Sequence, residues 1–172
     1  KAGNCAVGEI GLDYYYNHSE RDVQKTVFRR FIKLGGGYRL PLIIHCRDAY
    51  DDCLDILKDE LVEDQAFEIH SCTAPPEWVD EVLDMGGYVG FNGIVTFKNA
   101  DNVRAALDRV PMERLLLETD APYLSPVPYR GKPNYPAYVK YVAEYVSERK
   151  GVSFEQLSRI TTENAVTFFS LS

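Results

Sequence analysis

The chain has 172 residues, with 26 acidic against 19 basic side chains and a net charge of −7 at neutral pH. That length can bury the core of one domain, and the acidic balance excludes nucleic-acid binding driven by bulk positive charge while leaving room for a local basic patch. No apolar run approaches the roughly 20 residues of a membrane span and nothing resembles a signal peptide, and Cys5, Cys46, Cys53 and Cys72 lack CxxC spacing, so they read as free thiols of a cytoplasmic protein.

Lys1 is not an initiator Met and the first strand begins almost at once, so a longer natural chain is expected. That strand leads from Ala6-Val7 to Gly8-Glu9-Ile10-Gly11-Leu12-Asp13, and its glycines allow a close approach of backbone or ligand. Tyr14-Tyr15-Tyr16 follows in a loop, where it either packs or lines a substrate site. A helix is expected from Ser19, with Asp22 in a capping-box-like position. Val23, Val27, Phe28, Phe31 and Ile32 share a face, and Gly35-Gly36-Gly37 is expected to end it. His18, in the polar stretch before the helix, is expected to be exposed.

Residues 40–45 form the second strand, ending at His45, and Cys46-Arg47-Asp48 the loop after it. A helix then buries Tyr50, Cys53, Leu54 and Leu57. Residues 66–70 form the third strand, ending at His70. Pro75-Pro76 opens a helix with Val79, Val82 and Leu83 inward, closed by Gly86-Gly87. Residues 88–93 make a fourth strand with no charged ligand at its end. Asn99 is expected to cap the next helix, and Pro111 breaks it. The fifth strand is Leu115-Leu116-Leu117, running into Glu118-Thr119-Asp120, with Pro122 stopping regular pairing. After the Pro-, Tyr- and Lys/Arg-bearing loop 121–136, one helix turns Tyr138, Val139, Val142, Tyr145 and Val146 inward. Another starts at Ser153, with Gln156 completing a capping box.

Five alternations of strand and helix are the pattern of βα units around a parallel sheet. Four strands end in Glu9, His45, His70 and Asp120, spaced 36, 25 and 50 residues apart. The last gap is two units long, because the strand without a ligand lies inside it. Right-handed crossovers bring successive strand ends to one face, which is where sites of (β/α)₈ barrels sit.

A lone His at a strand end is ordinarily a core residue, and a lone carboxylate an ion-pair partner or a turn cap. Together they are a metal set. Imidazole with carboxylate suits zinc, manganese or iron, and the carboxylates also suit magnesium. A bound divalent ion lowers the pKa of water to about 7. Glu9 is the right type to bridge two ions, and Asp120 can ligate one ion and take a proton from the attacking water. Each histidine would bind through one nitrogen, with the other held by a further partner. Arg130, Lys132 and Asn134 form either an anion-binding loop beside Asp120 or a solvated one, and Arg47 is a second anion candidate.

The stretches Gly8-Glu9-Ile10-Gly11-Leu12-Asp13-Tyr14, Ile44-His45-Cys46-Arg47-Asp48-Ala49 and Glu118-Thr119-Asp120-Ala121-Pro122-Tyr123-Leu124 resemble signatures of the TatD-like metal-dependent deoxyribonucleases. So do Gly93-Ile94-Val95-Thr96-Phe97-Lys98-Asn99 and Pro126-Val127-Pro128-Tyr129-Arg130-Gly131-Lys132. The resemblance spans the chain and keeps the family's motif order. It implies an amidohydrolase-type TIM barrel that hydrolyses DNA phosphodiesters, often trimming single strands from the 3′ end. It assigns Glu9, His45, His70 and Asp120 as ligands of Mg²⁺, Zn²⁺ or Mn²⁺, two ions in the complete enzyme. It also implies Asp120 as proton acceptor and Arg130, Lys132 and Asn134 beside the phosphate.

There are departures from the family pattern. The family's opening His-x-His strand has no counterpart here. Ser71-Cys72-Thr73-Ala74 replaces a run that more often carries an aromatic, and Tyr135 stands where an acid is usual. The expectation is therefore an α/β chain of (β/α)₈ TIM-barrel type with about five βα units and the N-terminal strands missing. Residues 1–172 would be the C-terminal portion of a single TatD-like hydrolase domain, acting on DNA, with RNA as a second candidate substrate and no membrane partner. Two alternatives stand beside it: a metal-dependent amide or ester hydrolase on a small molecule, and a non-catalytic fragment.

Overall fold

The structure, a computed structural model, describes residues 3–16 and 18–171. Each apolar run becomes a strand: β1 (Val7–Asp13), β2 (Leu42–Arg47), β3 (Phe67–Ile69), β4 (Tyr88–Phe91) and β5 (Leu115–Leu117). They pair in parallel and in chain order, β1-β2-β3-β4-β5. Between them lie α1 (Arg21–Tyr38), α2 (Tyr50–Glu60), α3 (Pro76–Asp84) and α4 (Asp101–Arg109), and after β5 come α5 (Val139–Lys150) and α6 (Phe154–Phe168). This is the α/β arrangement of (β/α)₈ type, with five βα units in a sheet left open at β1 and β5 among the described residues. No described helix is long and apolar enough to cross a membrane.

Alternation along each strand sorts the side chains. Leu42, Ile44, Phe67, Ile69, Val89, Phe91 and Leu115 are buried against Phe28, Ile32, Leu57, Val79, Leu107, Val142 and Leu157 of the helices. The residues between them, among them His45, Glu68 and Gly90, belong to the opposite face. Asn164 of α6 fastens that helix to the start of β5, its amide donating to the carbonyls of Met112 (2.7 Å) and Leu115 (2.9 Å). Ser153 caps α6 as expected, its hydroxyl accepting the Gln156 N–H at 3.1 Å. All four cysteines are free thiols.

Four local expectations are corrected. Ser19 does not cap α1, which begins at Arg21 after Glu20. The Gln24 side chain occupies that corner, accepting from the Asp13 N–H (2.8 Å) and donating to the carbonyls of Ser19 (2.8 Å) and Asp13 (3.1 Å). The glycine triplet lies inside α1 rather than after it. A Cβ on Gly35 would come within 2.4 Å of a Leu42 methyl, so the residue serves helix–sheet contact, and the helix ends at Arg39 with φ 55°. Cys46 and Arg47 extend β2 instead of forming a loop. Asn99 gives way to Ala100 before α4, where Arg104 reaches back to the carbonyls of Val95 (3.2 Å), Phe97 (2.6 Å) and Lys98 (3.1 Å).

Candidate metal centre

Parallel pairing puts every carboxyl end on one rim. At β1 the register slips: Val7 faces Leu42 but Ile10 faces Ile44, so three steps on β1 match two on β2. Such a bulge re-aims a side chain, here within the segment that carries Glu9. Gly11 follows with φ 139°, and a Cβ there would lie 1.9 Å from the His45 carbonyl oxygen. Only glycine lets β1 run this close to β2.

Glu9, His70 and Asp120 each bring one ligand atom to within 4.8 Å of the others. His70 Nε2 is 3.6 Å from Glu9 Oε1 and 3.6 Å from Asp120 Oδ1. Its other nitrogen is engaged: Nδ1 lies 2.5 Å from Glu118 Oε2, while Glu118 Oε1 accepts the Ser71 N–H at 2.5 Å. Gly90 leaves room for Glu118, since a Cβ there would be 3.1 Å from Oε1. Asp120 and Ser71 both sit in the left-handed region, at φ 57° and 49°, a conformation that costs energy and gathers at ligand-handling sites.

His45 stands at the same rim but outside the three-residue set. Its Nε2 is 2.9 Å from Asp13 Oδ2, which leaves Nδ1 for another partner. Glu9, His45, Arg47, His70, Ser71 and Asp120 line one cavity of about 280 Å³. A larger recess of about 630 Å³ at the opposite end of the sheet is lined by Leu57, Tyr88, Arg114 and Phe168, among others. It holds no close His–carboxylate group, so size does not choose the site.

Burial drives the electrostatics. It raises the Asp120 carboxyl above its ordinary range; His70 opposes this, and Glu118 and Glu9 reinforce it. Glu68, two residues before His70 and 5% exposed, is pushed up to about 8 by burial and by Glu118, with His70 opposing and Glu9 adding. His70 itself is raised to about 9: burial works against its charge, but the Glu118 hydrogen bond and the negative charge of Glu118, Glu9 and Asp120 prevail. Asp13 moves the other way, since hydrogen bonds from Tyr16, His45 and Tyr15 outweigh its burial. One imidazole nitrogen and two carboxylate oxygens, with a second imidazole beside them, are a fitting donor set for zinc, manganese or magnesium.

The sequence missed three acids. Asp13 and Glu118 hold the far nitrogens of the two histidines, and Glu68 lies beneath them. Spacing held a clue to Glu68 alone, which stands two residues before His70 at the end of β3, the step that keeps side chains on one face of a strand. The anion candidates separate. Arg47 lines the cavity. The Arg130 guanidinium lies 4.0 Å over the Phe97 ring and Lys132 Nζ 5.9 Å from the Tyr129 ring centre. Asn134 is a correction. At 3% exposure it donates to the carbonyls of Thr119 (2.7 Å) and Tyr123 (2.6 Å) and accepts from the Tyr135 N–H (2.9 Å), so it braces the loop from within. His18 is exposed and stacks on Tyr16 at 5.5 Å.

Residues 1–170 match the model of a family described as TatD related DNase. The chain is 47% identical over 167 residues to YabD of Bacillus subtilis (strain 168), described as an uncharacterized metal-dependent hydrolase, covering 97% of this chain and 66% of that one. It is 35% identical over 171 residues to the 3′-5′ ssDNA/RNA exonuclease TatD of Klebsiella pneumoniae (strain 342), covering 96% of this chain and 65% of that one. Among solved structures, that of YJJV, a TatD homolog from Escherichia coli K12, superposes with a TM-score of 0.90 at 27% identity, over 97% of this chain and 64% of that one. The chain thus spans about two thirds of the length of the curated relatives it matches.

Proposed function

This chain belongs to the TatD-related DNase family, and from that premise we propose that its rim belongs to a divalent-metal-dependent hydrolase of phosphodiester bonds in DNA. The substrate is a single strand shortened from its 3′ end, and RNA is a second substrate. The support is the name of the Klebsiella relative and, above all, the close set Glu9–His70–Asp120 in one cavity with His45 and Arg47. Glu9, His70 and Asp120 would hold the metal, with His45 lining the same cavity. A divalent ion there would supply Lewis acidity and a water acidic enough to attack at neutral pH.

The chain's own residues do the rest. Asp120 takes the proton of the attacking water at a side-chain oxygen. Water attacks phosphorus, the bond to the 3′ oxygen of the remaining strand breaks, and that oxygen takes up the proton held by Asp120. Arg47 pairs with the phosphate oxygens, while Arg130 and Lys132 add positive potential from the loop after Asp120. Glu118 and Asp13 keep each histidine in one tautomer.

The test is turnover of 5′-labelled single-stranded DNA with Mg²⁺, Mn²⁺ or Zn²⁺, beside a small ester and a cyclic amide. Stepwise 3′ shortening that stops with chelator and in folded Asp120→Ala supports the reading. Full activity in cleanly purified Asp120→Ala, or turnover of the small substrates alone, overturns it.

A further inference from the structure

The tyrosine triplet after β1 divides into two parts. Tyr14 faces the protein: it packs on the core, its hydroxyl donates to Asp52, and the Arg21 guanidinium lies 4.3 Å over its ring. Tyr15 and Tyr16 do not follow it. They are 59% and 56% exposed and meet edge to face at 5.0 Å and 89°. Arg47 lies over both, 4.1 Å from the Tyr15 ring centre and 4.8 Å from that of Tyr16.

This pair is wired to the rim in two ways. Arg47 is two residues beyond His45 on β2, hence on the same face of the sheet and about 6–7 Å further out. It lines the cavity that holds Glu9, His70 and Asp120. Asp13 makes the second link. Its Oδ1 accepts the N–H groups of Tyr15 (3.0 Å) and Tyr16 (2.9 Å), while its Oδ2 meets His45 Nε2 at 2.9 Å. One carboxylate therefore sets both the aromatic turn and a histidine of the candidate centre.

We propose that Tyr15, Tyr16 and Arg47 form the subsite that receives the unpaired base of the nucleotide adjoining the scissile phosphate. The inference rests on the phosphodiesterase reading and names the part of the substrate that the rim recognises. Two open rings already fixed by a guanidinium and two backbone hydrogen bonds offer stacking with little ordering cost. Every base has a face to stack, so the subsite selects single strands and tolerates sequence. A duplex keeps its bases stacked on each other and cannot use it.

The experiment compares oligothymidylate with the same oligomer carrying one abasic residue beside the 3′-terminal phosphodiester. KM and kcat are measured with Mn²⁺, and binding by fluorescence anisotropy in chelator. The proteins are wild type, Tyr15→Ala/Tyr16→Ala and Tyr15→Phe/Tyr16→Phe. Wild type should prefer oligothymidylate by about tenfold or more in KM, the order expected for one stacked base. The alanine pair should lose that preference while treating the abasic oligomer as wild type does, and the phenylalanine pair should retain it. Equal losses on both oligomers in the alanine pair, or a wild type blind to the missing base in binding and in KM, overturns the subsite. Base-dependent binding without cleavage would sink the phosphodiesterase reading and leave the subsite standing.

Discussion

Glu118→Gln isolates the inferred control of His70. The wild-type carboxylate uses both oxygens, one against His70 Nδ1 and one against the Ser71 N–H, each at 2.5 Å. A glutamine of the same shape has one oxygen and one NH₂. It can satisfy either donor but turns a donor toward the other. Neutral His70, the form that binds a metal, is then no longer held with its proton on Nδ1, and that proton can sit on Nε2, the nitrogen that faces Glu9 and Asp120 at 3.6 Å. Losing one charge-assisted hydrogen bond costs about 1.5–3 kcal/mol. Spent on ligand orientation, that is roughly 10- to 100-fold in metal affinity. The assay is calorimetric titration of chelator-treated protein with Zn²⁺ or Mn²⁺, with circular dichroism to verify folding. A folded variant whose affinity stays within about twofold of wild type, far below that range, refutes the argument.

In metal-free protein, His70 is raised from 6.5 to about 9, so its stabilising protonation is complete below pH 6.5 and is lost as pH rises through 9. Glu68, raised from 4.5 to about 8, also loses stability as pH rises from 4.5 through 8. Urea unfolding with chelator should show the fold weakening from pH 6.5 to 9 by about 3 kcal/mol or more, and a flat or rising profile contradicts the assignment. Asn134→Ala removes three hydrogen bonds from a buried amide and should cost about 2–3 kcal/mol with faster proteolysis in 121–135; a rise in KM at unchanged stability would return Asn134 to the substrate. Ser153→Ala, which deletes the cap of α6, should lower unfolding free energy by about 1 kcal/mol in denaturant titration.

The strands were legible because strands of a parallel sheet covered by helices read as continuous apolar runs, as Leu42-Ile43-Ile44 of β2 and Leu115-Leu116-Leu117 of β5 do. The rim was legible for a related reason. Glu9, His45, His70 and Asp120 each lie in or just beyond a strand, where parallel pairing gathers the ends. Asp13, Glu68 and Glu118 were harder, because a carboxylate's partner lies on another strand. Glu118 meets His70 from 48 residues away, and no local pattern records that. Asn134 was misjudged because an amide suits a phosphate and a carbonyl equally well. The α1 glycines were misjudged because glycine serves close packing as readily as it ends a helix; what decides is Leu42, on a different element.

The protein treats the acids of the rim differently from its other acids. Away from the rim, carboxylates meet Arg or Lys: Glu60 meets Arg29 and Lys33, Glu81 meets Lys58, Asp80 meets Arg109, Asp108 meets Arg149. At the rim Glu9, Glu118 and Asp120 all converge on one imidazole, Glu68 lies below them, and no Lys or Arg bridges them among the described ion pairs. A single histidine cannot balance that much acid: burial comes first in raising the Asp120 and Glu68 carboxyls, and the neighbouring acids raise them further. A merely structural cluster would be more stable with an arginine or an apolar replacement. The imbalance becomes intelligible when two positive charges belong between Glu9, His70 and Asp120, so that the repulsion which weakens the metal-free fold is the same free energy that draws a divalent ion into it.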